Sequence, residues 1–143
     1  MAVPFVLLVD DEAPFVDTMT KRLEKRELKI ISALSGQDAL ETLDHHQNID
    51  VVILDVKMPG MDGIETLRGI KRSFPLMEVI MLTAHATVET AIEGMKRGAS
   101  DYLMKPCDIE QLVKKVDEAT RKKRDHEERI REAKVKEALL QHG

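Results

Sequence analysis

Phe5-Val6-Leu7-Leu8-Val9 is an unbroken apolar run, the pattern of a strand buried on both faces. Asp10-Asp11-Glu12 halts it. Pro14 suits a first helical turn, and Phe15, Met19 and Leu23 follow at four-residue steps, predicting a helix whose apolar stripe they form. Leu28-Lys29-Ile30-Ile31 reads as a second strand, more mixed and so nearer a sheet edge. Ser35 is the expected N-cap of the next helix, which carries Ala39, Leu40 and Leu43 inward. Val51-Val52-Ile53-Leu54 is a third strand, ending at Asp55. A loop, Met58-Pro59-Gly60-Met61, leads to Asp62-Gly63-Ile64-Glu65, which has capping-box spacing ahead of Leu67 and Ile70. Val79-Ile80-Met81-Leu82 is a fourth strand, ending at Thr83, and a helix from near Val88 to Arg97 closes on Gly98. Asp101-Tyr102-Leu103-Met104 is a short fifth strand before Lys105-Pro106. Asp108-Ile109-Glu110-Gln111 repeats the capping-box spacing ahead of Leu112, Val113 and Val116.

Apolar runs that alternate with helical patterns predict an α/β fold: a parallel sheet with helices on both faces, joined by right-handed crossovers. The chain divides into a domain over residues 1–119 and a charged helical extension or linker over residues 120–143. The extension has high helix propensity. Its three–four spacing runs through Val116, Ala119, Lys123, His126, Ile130, Ala133, Glu137 and Leu140, and the polar members weaken any coiled-coil seam. A solvated continuation of the last helix is the favoured reading over a dimer-forming coil.

Composition narrows the classes. At 143 residues the chain holds one domain and little more. Lys and Arg number 22 against 26 Asp and Glu, a net charge of -4, which suits neither generic nucleic-acid nor anionic-membrane binding. Arg121-Lys122-Lys123-Arg124 is followed by acids at Asp125, Glu127 and Glu128, so it reads as a solvated helix rather than a nucleic-acid site. The single cysteine, Cys107, excludes an intrachain disulfide. No apolar run approaches the roughly 20 residues of a membrane span, and the N-terminus lacks a basic region before its apolar stretch. The expectation is a cytoplasmic protein.

Ligands of open parallel sheets sit beyond the carboxyl ends of the strands. Here the first strand ends at Asp10 and Asp11, the third at Asp55, the fourth at Thr83 and the fifth at Lys105. Each residue alone has an ordinary explanation as a turn, cap or surface group, and Glu12, Asp38, Asp62 and Asp108 are assigned to that ordinary class. Their convergence at one edge is what carries information. Crowded carboxylates repel unless a cation joins them, and hard oxygen donors suit Mg²⁺. An aspartate can accept a phosphoryl group, with a lysine and a hydroxyl to hold its oxygens.

Val9-Asp10-Asp11-Glu12, Asp55-Val56-Lys57-Met58-Pro59-Gly60-Met61-Asp62-Gly63, Thr83-Ala84 and Asp101-Tyr102-Leu103-Met104-Lys105-Pro106 together resemble the receiver domain of two-component response regulators, over about residues 4–120. Thr87-Val88-Glu89-Thr90-Ala91 brings the chain nearest to receivers that precede sigma-54-dependent AAA+ activators. The resemblance implies a flavodoxin-like (βα)5 doubly wound sheet, strand order 2-1-3-4-5, with an extended C-terminal helix. It implies Asp55 as phosphoacceptor from a histidine kinase or phosphotransfer protein, and Mg²⁺ on Asp10, Asp11, Asp55 and the Lys57 backbone carbonyl. Thr83 and Lys105 would bind phosphoryl oxygens, and Tyr102 would change position as Thr83 moves. The face formed by the fourth helix, fifth strand and fifth helix would meet an output partner or a second copy; the C-terminal helix is the other candidate dimer surface. Lys57 and His85 would flank the mouth of the site as modulators of phosphoryl lifetime. Cys107 stands where the family commonly has Phe and reads as a small apolar filler.

An output ATPase would need a G-x-x-x-x-G-K-[ST] loop, which this sequence lacks, so any output domain lies outside the chain given. The leading expectation is therefore a regulatory switch, not an enzyme beyond its own phosphorylation and dephosphorylation. The alternative is a metal-dependent phosphatase acting through an aspartyl-phosphate; such enzymes usually place an acid two residues after the nucleophile, where Lys57 stands. A flavin-binding domain fits less well, because Asp10-Asp11-Glu12 would repel a phosphate.

Overall fold

The apolar runs pair side by side. A computed structural model describes residues 3–142. Among the described residues the strands are β1 (Phe5–Val9), β2 (Lys29–Ala33), β3 (Val51–Leu54), β4 (Glu78–Thr83) and β5 (Asp101–Met104). The helices are α1 (Ala13–Glu24), α2 (Gly36–His45), α3 (Gly63–Ser73), α4 (Val88–Lys96) and α5 (Ile109–His142). All strand pairs are parallel, in the order β2-β1-β3-β4-β5. This is the flavodoxin-like arrangement expected, with the long C-terminal helix present. The mixed strand β2 lies at an edge, and it runs two residues further than its apolar pattern indicated, to Ala33.

The sheet's two faces bury separate cores. Leu7, Val9, Val52, Leu54, Val79 and Met81 meet α2 and α3 through Ala39, Leu43, Leu67 and Ile70. Val6, Leu8, Ile53, Ile80 and Leu82 meet α1 and α5 through Val16, Met19, Leu23, Leu112 and Val116. The period-2 alternation of a strand sends neighbours to opposite faces, which is why central strands read as continuous apolar runs.

Local chemistry sets the helix ends. The Ser35 hydroxyl accepts the Asp38 N–H, as its sequence position indicated. Asp62 Oδ1 accepts the Glu65 N–H at the start of α3. The two-way capping box forms at Thr87 and Thr90 of α4. Gly98 follows α4 with φ +99, the left-handed conformation that glycine adopts without a Cβ penalty. Phe15, expected in the apolar stripe of α1, sits at its border: it is half-buried and packs against the α1–α5 core, while the buried residues are Val16, Met19 and Leu23. The 3.6-residue period accounts for this, since strict four-residue steps drift off the inward face.

Burial continues along α5 past residue 119: Thr120 and Lys123 are buried. Asp50, itself buried, accepts the Phe5 N–H at 2.9 Å and is gripped by Arg124 through Nε at 3.1 Å and Nη2 at 2.9 Å. Lys123 reaches Glu127 at 3.0 Å. The basic run at residues 121–124 is thus drawn toward the domain: Lys123 is buried, Arg124 holds Asp50, and Lys122 reaches Glu78 of β4 at 3.5 Å. From Glu128 through Gln141 the helix is exposed, including Val135, Leu139 and Leu140. No helix among the described residues is long and apolar enough to cross a membrane.

Candidate functional site

The parallel register brings the strand-end residues together. Val9 pairs with Leu54 of β3, so Asp10 and Asp55, each one residue further on, emerge side by side. Backbone bonds fix both: the Asp55 N–H donates to the Val9 carbonyl at 3.0 Å, and the Asp10 N–H to that of Ala33 at 3.2 Å. Met104 pairs with Thr83, and Lys105 follows, its N–H bonded to the Thr83 carbonyl at 2.9 Å. β5 is two strands from β3, about 10 Å at normal strand spacing, so only a long side chain returns to the centre.

Lys105 makes that return. Its Nζ lies 2.6 Å from Asp10 Oδ2, 3.6 Å from Asp55 Oδ2 and 3.6 Å from Glu12 Oε1. It also sits 3.9 Å above the centre of the Phe15 ring. Sequence reasoning missed both Phe15 and Glu12 here. Glu12 occupies the N-cap position of α1 as expected, yet its side chain makes no capping bond there. A cation over an aromatic face is a contact that no periodicity reveals.

Carboxylate oxygens of Asp10, Asp11 and Asp55 all lie within 4.8 Å of one another. Asp10 is 1% exposed and Asp55 3% exposed, while Asp11 faces solvent. Asp55 Oδ1 is buried with no hydrogen-bond partner among the described residues. A buried anionic oxygen without a donor is costly, and a cation in the cluster would relieve it. Three oxygen donors open to water on one side suit a hard divalent ion such as Mg²⁺.

Burial pushes the Asp10 carboxyl above its ordinary pKa; the bonds from Lys105 and the Glu12 N–H oppose the rise, and the charge on Asp55 adds to it. Burial also works against the Lys105 ammonium, but the Asp10 bond and the charges of Asp10, Asp55 and Glu12 outweigh it, so its pKa rises. Both partners therefore move upward: the site keeps lysine charged while penalising the ionised aspartate. The folded chain holds the Asp10 proton to higher pH than the unfolded chain, whose value is 3.8. Its contribution to stability is present below that value and is lost as pH rises through the folded pKa. Asp10→Asn should therefore gain stability relative to wild type between about pH 4 and pH 7 in divalent-free buffer, read by urea denaturation. A difference that is flat across that range, or that falls, refutes this sign.

The remaining candidates take distinct places. Thr83 is fully buried, and its Oγ1 accepts the His85 N–H at 3.0 Å. Lys57 and His85 are exposed and line, with Asp11, Glu12, Asp55, Met58 and Pro59, an open cleft of about 420 Å³. Tyr102 is half-buried, its hydroxyl 2.6 Å from Thr90 Oγ1. Cys107 is half-buried against the α1–α5 core, and burial raises its thiol pKa, as expected of a filler with little thiolate.

The β3–α3 loop closes tightly behind Asp55. The Gly63 N–H donates to the Val56 carbonyl at 2.7 Å, and a Cβ on Gly63 would stand 2.0 Å from the Asp55 carbonyl oxygen. The sequence reading placed Gly63 in a capping box without this role. The signal available was the glycine immediately after the N-cap aspartate.

Comparison with known proteins bears on this geometry. A family model described as "Response regulator receiver domain" matches residues 6–117. The luminescence regulatory protein LuxO of Vibrio campbellii is 35% identical over 115 residues, covering 80% of this chain and 25% of that protein. The transcriptional regulatory protein ZraR of Escherichia coli is 40% identical over 114 residues, covering 80% of this chain and 26% of that protein. The chain thus spans about a quarter of the length of these relatives. A response regulator receiver domain from Clostridium thermocellum superposes with a TM-score of 0.81 at 35% identity, covering 85% of this chain and 98% of that one. The receiver domain of a putative LuxO repressor from Vibrio parahaemolyticus gives 0.80 at 27% identity, covering 88% and 96%.

Proposed function

Because this chain belongs to the response regulator receiver family, we propose that it is a phosphorylation-dependent switch whose acceptor is Asp55. The observation that carries the reading is the buried, partnerless Asp55 oxygen, enclosed by Asp10 and Asp11 with the Lys105 ammonium held nearby. Asp10, Asp11, Asp55 and the Lys57 carbonyl would hold Mg²⁺, which supplies positive charge against the oxygens of an incoming phosphoryl group.

A carboxylate oxygen of Asp55 attacks the phosphorus of a kinase or phosphotransfer phosphohistidine; the N–P bond breaks and the imidazole leaves. Lys105 turns from Asp10 to a phosphoryl oxygen, and the Thr83 hydroxyl leaves the His85 N–H for another. The added charge, roughly -1.5 to -2 for an ordinary phosphoester, draws both groups inward. Tyr102 changes position as Thr83 moves. The readout surface is the α4-β5-α5 face, where Val88, Ile92, Met95 and Met104 are exposed and suit an output partner or a second copy. The relatives' names point to transcription regulation, and the resemblance to receivers of sigma-54-dependent activators to an ATPase output beyond this segment.

The test is incubation with radiolabelled acetyl phosphate and Mg²⁺. Stoichiometric label on Asp55, without turnover of a small phosphoester, supports the switch. Multiple turnover supports the phosphatase alternative, and no label overturns both. Lys57 and His85 border the path of hydrolytic water. Lys57→Ala with His85→Ala should change the phosphoryl lifetime by about threefold or more, the result of a barrier shift of at least about 0.65 kcal/mol. Equal lifetimes refute the modulator role.

A further inference from the structure

We propose that Thr90 is the positioning residue that holds Tyr102 at rest, so that the first turn of α4 and the phosphoryl-accepting edge are linked through one hydroxyl pair. The inference rests on the switch reading above and specifies its regulation.

α4 is weakly anchored by apolar burial. Among its described residues only Gly94 is buried, while Val88 is 72% exposed and Ile92 and Met95 about half exposed. Specific contacts must therefore keep it in place, and Tyr102 supplies two of them. Its hydroxyl meets Thr90 Oγ1 at 2.6 Å. Its ring lies against Gly94, where an added Cβ would stand 3.6 Å from Cδ2. These contacts fall one turn apart on the same helix face.

Thr90 is also the second half of the α4 capping box. Its Oγ1 accepts the Thr87 N–H at 3.1 Å, lies 2.9 Å from Thr87 Oγ1 and 3.2 Å from the Thr87 carbonyl. A hydroxyl has one proton and two lone pairs. With its proton on Thr87 and one lone pair taken by the Thr87 N–H, the other is filled by the Tyr102 O–H. Tyr102 is thereby bound into the cap rather than against a freely rotating side chain.

The other end of the link is Thr83. Tyr102 pairs with Met81 across β4–β5, and Thr83, two residues on, shares Met81's side of the sheet. Residues 84–86 are consequently tethered at both ends by threonine hydroxyls, Thr83 to the His85 N–H and Thr87 to the Thr90 N–H. When Thr83 turns to a phosphoryl oxygen, Tyr102 follows only by leaving Thr90. The Tyr102–Thr90 bond therefore opposes activation, and its removal pre-shifts the equilibrium.

The chain has one tyrosine and no tryptophan, so intrinsic fluorescence reports Tyr102 alone. The test titrates beryllofluoride, a phosphoryl mimic, in Mg²⁺ into wild type, Thr90→Val and Thr90→Ser. Thr90→Val should begin with emission displaced toward the saturated value and reach its midpoint at roughly three- to tenfold lower concentration, the scale of one hydrogen bond. Thr90→Ser should behave as wild type. Tyr102→Phe, followed by calorimetry, should lower the midpoint by a similar factor, and combining it with Thr90→Val should add nothing further. An unchanged midpoint in Thr90→Val, or additive effects in the double variant, overturns the inference while leaving the switch intact. A wild-type chain that takes neither acyl-phosphate label nor beryllofluoride overturns the switch reading and this one with it.

Discussion

Asp55→Asn should abolish labelling by acetyl phosphate while making the chain more stable. The substitution removes the attacking oxygen, so incorporation falls from stoichiometric to background under conditions that saturate wild type. It also removes a buried charge crowded by Asp10 and Asp11. The partnerless Asp55 oxygen carries a desolvation cost of about 1–3 kcal/mol, and an amide offers donors to the neighbouring carboxylates. The melting temperature in divalent-free buffer should therefore rise by about 4 °C or more. Loss of chemistry with a gain in stability separates an acceptor from a structural residue, whose replacement lowers both. Retained stoichiometric label would remove Asp55 from the proposed role.

Gly63→Ala should do the reverse of what a small surface change does. The added carbon would meet the Asp55 carbonyl oxygen at 2.0 Å, the Val56 Cα at 2.6 Å and the Asp55 carbonyl carbon at 2.9 Å. All three are backbone atoms, so no side-chain rotation relieves the contact. Either α3 withdraws from the loop or β3 moves at its carboxyl end. The cost should reach about 3 kcal/mol, the upper part of the overpacking range, and lower the melting temperature by about 10 °C. Every candidate phosphoryl-binding side chain remains in this variant, yet labelling should slow because the loop that seats Asp55 is displaced. A melting temperature within about 1 °C of wild type would show the loop to be yielding.

The strands and the strand-end residues were legible because burial on both faces forces unbroken apolar runs, and each run's first polar residue marks the sheet's rim. Asp10, Asp55, Thr83 and Lys105 were found in that way. Register then did the rest: Val9 opposite Leu54 and Met104 opposite Thr83 are consequences of pairing that no single strand encodes. Contacts between distant elements were not legible. Phe15 beneath Lys105, the Asp50–Arg124 pair and Gly63 flush against Asp55 each join positions whose proximity depends on the completed fold. Phe15 packs at the border of its stripe rather than at its centre because a four-residue step drifts from the buried face as the helix turns. In the extension after residue 119 the three–four spacing aligns Lys123 with Val116 and Ala119, but its charge favoured a solvated reading, whereas its side chain is buried.

The grip of Arg124 on Asp50 makes the remainder of α5 a lever arm. From that fulcrum to Leu139 the helix runs about 22 Å at 1.5 Å per residue. A tilt of roughly ten degrees where α5 leaves the sheet would carry Leu139 sideways by about 4 Å on that lever. Motion too small to disturb the core around Leu112 is thereby amplified at Leu139, and weakening the fulcrum with Asp50→Asn would blunt the gain without touching the rim where phosphate is received.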